Sequence, residues 1–200
     1  MPDSPGTASA NLTDPGPTAE SGPEGRPPRF AVGDAIAHPN HGAGRIVGIQ
    51  TWEVGGVRRR YYSIELISEE GMLMIPVEQA DEAGLRPAVG DPGQIASVLA
   101  EGPEELDDDH RKRQSAIADK IHSGDLTQVV EAVRDLAWRG QKGGLTERDQ
   151  KLKAEAEALL IGELAVKHGL DLETAARRLS EEIAQALEQH TPSQDEEGHP

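Results

Sequence analysis

From Phe30 the apolar and polar positions alternate with a period near two, and from Asp91 the period changes to 3.6 and stays there. In the first stretch, the short apolar runs Ala35 to Ala37, Ile46 to Ile49, Tyr61 to Leu66 and Met72 to Val77 are separated by Gly, Pro, Asn and Glu clusters. That is the spacing of consecutive hairpins, and it predicts a small, strongly bent antiparallel β-barrel. Strict alternation puts Val47, Ile49 and Thr51 on one face of a strand and Ile46, Gly48, Gln50 and Trp52 on the other. Gly55-Gly56 is a candidate two-residue hairpin turn, and Glu69-Glu70-Gly71 a second turn. If Tyr62, Ile64 and Leu66, then Leu73 and Ile75, face the core, Trp52, Met72 and Met74 point outward. An outward Trp near Met side chains suits a partner anchor, or else a cover for the open end of the barrel.

Five helices follow. Asp91 caps a short one through Ala100, with Pro92 at its first position. The acidic, Gly- and Pro-containing segment 101–109 is a linker. A second helix runs from about His110 to His122 with Ile117 and Ile121 inward, and Ser123-Gly124-Asp125 ends it and caps a third. There Asp125 and Gln128 have capping-box spacing, and Val129, Val133 and Leu136 form the stripe. Thr146 caps a fourth helix, with Leu152, Ala156, Leu159, Leu160 and Leu164 inward as far as Gly169. Asp171 caps a fifth through Leu172, Ala176, Leu179, Ile183 and Leu187. The fold class expected is α+β: an N-terminal small antiparallel β-barrel, then a compact bundle of about five helices. The divisions are a tail over 1–29, the barrel over 30–90, the bundle over 91–190 and a frayed end over 191–200.

Composition narrows the function. Residues 1–29 hold seven Pro and four Gly among polar residues, too little apolar surface to offset the entropy of ordering, so a disordered tail is expected. With 36% apolar residues in 200, two small domains are a better expectation than one large core. The absence of cysteine excludes disulfides, thiolate metal sites and a thiol nucleophile together. No apolar run reaches the roughly 20 residues a membrane span needs and the N-terminus lacks the basic-then-apolar order of a signal peptide, so a soluble, cytoplasmic protein without a membrane partner is expected; a monomer is expected besides. The net charge of −16 opposes long-range attraction to nucleic acid, so any DNA contact needs a local patch or delivery by a partner.

Enzyme chemistry finds no support. There is no His-Glu-x-x-His, no Gly-x-Ser-x-Gly and no phosphate loop ending in Gly-Lys-Ser/Thr, and the carboxylates are spread over helix surfaces. Gly42-x-Gly44-x-x-x-Gly48 fails as a dinucleotide fingerprint because a strand follows where a helix is required. His38 and His41 lack a third ligand in their segment, so loop packing is expected there and neither a metal nor a cofactor. Arg58-Arg59-Arg60 reads as a solvated strand edge. Arg111-Lys112-Arg113 stands out, because three cations at a helix start oppose the macrodipole. They read either as phosphate contacts, with Lys151 and Lys153 a weaker echo on the fourth helix, or as a surface charge cluster.

Phe30-x-Val32-Gly33-Asp34, Pro39-x-His41-Gly42, Tyr61-Tyr62 and Met74-Ile75-Pro76-Val77, followed by Glu82-x-Gly84-Leu85-Arg86, resemble the CarD/CdnL family of bacterial transcription regulators. Ser123-Gly124-Asp125, Val133-Arg134-Asp135-Leu136, Gly144-Leu145 and Gly162-Glu163-Leu164-Ala165 resemble its helical half, in order and spacing. The same barrel type occurs in the transcription-repair coupling factor, which the helical half sets apart. The resemblance implies a Tudor/SH3-like barrel that adds a strand to the RNA polymerase β subunit, with Trp52, Met72, Met74, Ile75 and Pro76 as its contacts. It also implies a bundle that touches promoter DNA at the upstream edge of the melted bubble, without reading sequence, through the minor groove and phosphates. The DNA candidates are His110, Arg111, Lys112, Arg113, Lys151 and Lys153. Such proteins do no chemistry; they stabilise the open complex and associate with the nucleoid.

The chain departs from the family on both sides. Positions 52 and 74, which in some relatives hold basic residues facing polymerase, are Trp52 and Met74 here, so an apolar contact replaces part of an ionic one. The departure that matters most is on the DNA side. Where relatives place a Trp that wedges into the minor groove, this chain has His110, and no Trp lies between residues 100 and 122. The expectation is a weaker stabiliser of open complexes. The alternative is a polymerase- or protein-binding adaptor that has lost productive DNA contact.

Overall fold

The alternating residues form five strands: β1 (Ala35–His38), β2 (Gly42–Val54), β3 (Val57–Leu66), β4 (Met72–Pro76) and β5 (Arg86–Pro87). The structure is a computed structural model and describes residues 27–67, 71–89 and 92–191. The N-cap at Asp91, the turn residues Glu69 and Glu70, and nearly all of both terminal tails lie outside the described residues. All pairings are antiparallel, in the order β4-β3-β2-β1-β5.

The expected Tudor/SH3-like barrel does not form. β4 and β5 are the two edges of an open sheet, and no pairing joins them among the described residues. Closure needs a ladder carried all the way round. Here β5 is two residues long and ends at Pro87, which has no N–H to donate. What remains is an open five-stranded sheet.

Strict alternation also fails within β2. The β2–β3 register shifts between Ile46 and Gly48, a bulge that inserts Val47. Ile46 is fully buried, Val47 turns outward, and Ile49 packs on the same core as Ile46. Gly55 and Gly56, at φ 62° and 78°, make the tight turn that lets Val54 pair with Val57. Gly44 is required sterically, since a Cβ there would stand 2.6 Å from the Glu65 carbonyl oxygen. Beneath the sheet lie Ile36, Ile46, Tyr62, Ile64, Ile75 and Leu85. Phe30 meets Tyr62 edge to face at 5.9 Å, and its N–H donates to the Tyr62 hydroxyl at 3.1 Å. The one polar atom of that ring is thereby partnered.

The helices are α1 (Pro92–Ala100), α2 (His110–His122), α3 (Leu126–Lys142), α4 (Glu147–His168) and α5 (Leu172–His190). Asp109, Asp125, Thr146 and Asp171 cap four of them through their side chains. Asp125 accepts from Thr127 N–H, and the capping box belongs to Thr146 and Asp149. The seam of α5 runs through Ala175, Leu179, Ile183 and Ala186; Leu172, expected inward, is exposed.

α4 joins the two halves. Its residues Gly162 to Val166 are buried on every side, because the helix lies between the bundle and strands β1 and β2. Ala43, Ala88 and Val166 form a small apolar contact there. Polar bonds cross the junction as well. Arg86 grips Glu163 with two bonds, at 2.6 and 2.8 Å, and donates a third to the Gly124 carbonyl at 2.6 Å. Glu163 also accepts from Val89 N–H at 3.1 Å, and Arg45 donates to the Val166 carbonyl.

Candidate functional site

The outer face of the sheet follows from the β3 register. Trp52 stands opposite Arg59, Gln50 opposite Tyr61, and Pro76 opposite Tyr61 on the other side. Met74 lies opposite Ser63 and Met72 opposite Glu65. Trp52 and Met72 are both more than half exposed. They are nonetheless six β3 positions apart, roughly 20 Å at a strand's rise, so they mark opposite ends of the face rather than one cluster. Met74, Pro76 and Tyr61, each half-buried, lie between them. The Trp52 indole N–H donates to Gln50 Oε1 at 3.0 Å, which fixes the ring at the hairpin end. Ile75 is 5% exposed and faces Tyr62 in the core, so only its backbone, on the free edge of β4, is open to a partner.

The start of α2 is built around two carboxylates. Asp109 accepts from the N–H groups of Arg111 at 2.8 Å and Lys112 at 3.4 Å. The chain therefore caps its own helix terminus, and the side chains, not those N–H groups, are left to meet an anion. His110, Arg111 and Lys112 are exposed. Arg113 is not: its side chain is 3% exposed and donates to Asp149 at 2.9 and 3.3 Å. Its remaining donors bond the carbonyls of Asp107 at 2.7 Å and Asp108 at 3.2 Å. Asp149 is fully buried and also accepts from Gln114 and from the N–H of Thr146. Burial favours the neutral acid, but the hydrogen bonds from Arg113, Thr146 and Gln114 outweigh it and hold Asp149 down at about 2.

The sequence offered Arg113 as a surface cation; the fold uses it as the pin between α2 and α4. That pin brings the starts of both helices to one end of the bundle. Lys151 is exposed there and pairs with Glu147 at 2.8 Å. Lys153, half-buried, is tied to Glu157 one turn along. Arg148, which sequence reasoning passed over, is exposed beside Asp149. A cation adjoining a capping-box acid was its only signal.

The His38 and His41 rings lie 4.7 Å apart, and His38 Nδ1 accepts from Asn40 N–H at 3.1 Å. Burial, then the neighbouring His41, lowers the His38 pKa. No group of three or more His, Cys, Asp or Glu is placed to hold a metal ion among the described residues, nor is any helix there long and apolar enough to cross a membrane.

The fold is an open five-stranded sheet locked to a five-helix bundle, with an exposed edge on one half and exposed cations on the other. Residues 30–89 match the family described as CarD-like/TRCF RID domain, and residues 94–180 the one described as CarD, C-terminal domain. The chain belongs to the CarD/CdnL family, whose members are non-catalytic regulators generally linked to RNA polymerase binding. It is 29% identical over 143 residues to "Putative transcription factor YdeB" of Bacillus subtilis (strain 168), covering 70% of this chain and 94% of that one. It is also 31% identical over 88 residues to the transcription-repair-coupling factor of the same organism, covering 44% of this chain and 7% of the relative. The corresponding factor of Staphylococcus haemolyticus (strain JCSC1435) is 41% identical over 51 residues, 26% of this chain and 4% of the relative.

Proposed function

We propose that this chain bridges the RNA polymerase β subunit and promoter DNA at the upstream edge of the melted bubble, and so modulates the stability of the open complex. The polymerase side is the free edge of β4 with Met72, Met74 and Pro76, and with Trp52 at the far end of the same face. The DNA side is the shared end of α2 and α4, where His110, Arg111, Lys112, Arg148 and Lys151 reach solvent. Arg113 is left out because Asp149 holds it inside. The observation that carries the reading is the Arg86–Glu163 junction, in a chain that contains both family modules. A regulator that touches two surfaces at once needs its modules held at a set distance, and docking on polymerase supplies the local concentration that a chain of charge −16 lacks. His110 in place of a large apolar wedge makes this chain a weak stabiliser.

A second reading, an adaptor without DNA contact, is favoured by the carboxylates of Asp107, Asp108 and Asp109 directly before the cations. A promoter-fragment mobility assay separates the two. Lys112→Glu is expected to weaken the polymerase-dependent shift by about 1 kcal/mol or more, the scale of a charge-assisted phosphate contact. An unchanged shift supports the adaptor.

A further inference from the structure

Between α1 and α2, residues 101–109 carry Glu101, Glu104, Glu105, Asp107, Asp108 and Asp109, and this segment is not a loose linker. Glu104 N–H donates to Asp135 at 3.0 Å, Arg113 holds the carbonyls of Asp107 and Asp108, and Leu106 packs on the bundle core. Its backbone is thereby fixed across α2 and α3. Its carboxylates then fall over cations: Glu104 to Lys120 at 3.7 Å, Glu105 to Lys142 at 3.9 Å and Asp108 to Arg139 at 3.4 Å.

These contacts divide into two kinds. Lys120 is also held by Glu131 at 3.0 Å and Asp135 at 3.5 Å, so it belongs to the bundle. Arg139 and Lys142 take their anionic partners from the strap: Lys142 is 56% exposed, Arg139 is 27% exposed and also donates to the Leu106 carbonyl at 3.5 Å, and the facing carboxylates, Asp108 and Glu105, are 100% and 95% exposed. Pairs this wet are weak and readily exchanged for another anion. Beneath them, the Lys142 ammonium sits 4.9 Å from the centre of the Trp138 ring, beside a groove of about 310 Å³ that Trp138, Arg139 and Lys142 line from α3 and the strap's Glu104, Glu105 and Asp108 line from the other side, with Asp135 also in its wall. Two cations beside an aromatic ring is the composition of a nucleic-acid contact.

We propose that the acidic strap mimics a phosphate backbone: it covers a second DNA-contacting face, Arg139 with Lys142, and so holds down the affinity of the free chain for DNA. The inference rests on the DNA-contacting reading above and adds its regulation. A duplex must displace Asp108 and Glu105 to reach α3, and docking on polymerase provides the local concentration for that exchange.

The test uses the full chain and a labelled promoter duplex without polymerase, at 50 and 200 mM salt, with thermal melting to confirm that each variant folds. Glu105→Gln with Asp108→Asn is expected to bind about tenfold tighter at 50 mM salt, with a salt dependence steeper by about 0.9 for each released cation. The gain is expected to vanish when Arg139→Gln and Lys142→Gln are added. Glu181→Gln with Glu188→Gln changes the net charge equally on α5 and is expected to leave binding unaltered. No gain, a gain matched by the α5 variant, or a gain that survives loss of Arg139 and Lys142 overturns the proposal. If Lys112→Glu still weakens the polymerase-dependent shift in that case, the strap alone has failed; if it does not, the DNA-contacting reading has failed with it.

Discussion

Asp149→Asn removes one charge from the pin between α2 and α4 while keeping its shape. Asp149 is 0% exposed and Arg113 3%, so the guanidinium is left charged against a neutral amide with no water to compensate. Breaking a buried pair from one side costs about 3–5 kcal/mol. The Asp107 and Asp108 carbonyls still accept from Arg113, which favours the lower end of that range. The same pair sets a pH signature. Asp149 titrates at about 2 against an ordinary 3.8. At 1.36 kcal/mol per pH unit, that gap amounts to about 2 kcal/mol. Because the folded value lies below the unfolded one, this stabilisation is complete well above 3.8 and is lost as pH falls through 3.8 towards 2. Urea unfolding of both proteins at pH 7 and near pH 2 measures it: the variant is less stable at pH 7, and the gap narrows by about 2 kcal/mol in acid. A gap that stays constant with pH would refute the pin.

Two further experiments test the fold that positions the surfaces. Arg86→Met and Glu163→Gln, combined in a double-mutant cycle by urea unfolding, are expected to show a coupling of about 1.5–3 kcal/mol, and a coupling below about 0.5 would mean that this ion pair does not hold the halves together. Gly44→Ala drives a methyl to 2.6 Å from the Glu65 carbonyl and 2.8 Å from Ile64 Cγ2, so a loss of about 1–3 kcal/mol is expected; an unchanged urea midpoint would show slack between β2 and β3.

The helices were legible because their ends are written locally. Asp125, Thr146 and Asp171 cap, and Gly169 stops, at the positions the pattern predicted. The sheet was legible as hairpins and not as a whole. Whether strands close into a barrel depends on what the last strand can pair with, and a two-residue β5 ending in Pro87 has no signature in the alternation of β1 to β4. The bulge at Val47 was hidden for a related reason: Ile46, Val47 and Ile49 are all apolar, so the pattern does not say which one is extra. At the candidate site, Lys112 and Arg113 are neighbours in a basic run that reads as one patch. The partner that separates them, Asp149, is 36 residues away on another helix. Arg86 and Glu163 were each visible within a family motif, but their meeting is a property of the packed halves.

Open-complex lifetime on a promoter, with polymerase and the full chain, tests the bridging role most directly. The wild-type chain is expected to lengthen it modestly, His110→Trp to lengthen it further, and Lys112→Glu to remove the effect. A lifetime that none of the three proteins alters, with the chain shown to be bound to polymerase, would contradict the bridge and leave a polymerase-bound adaptor.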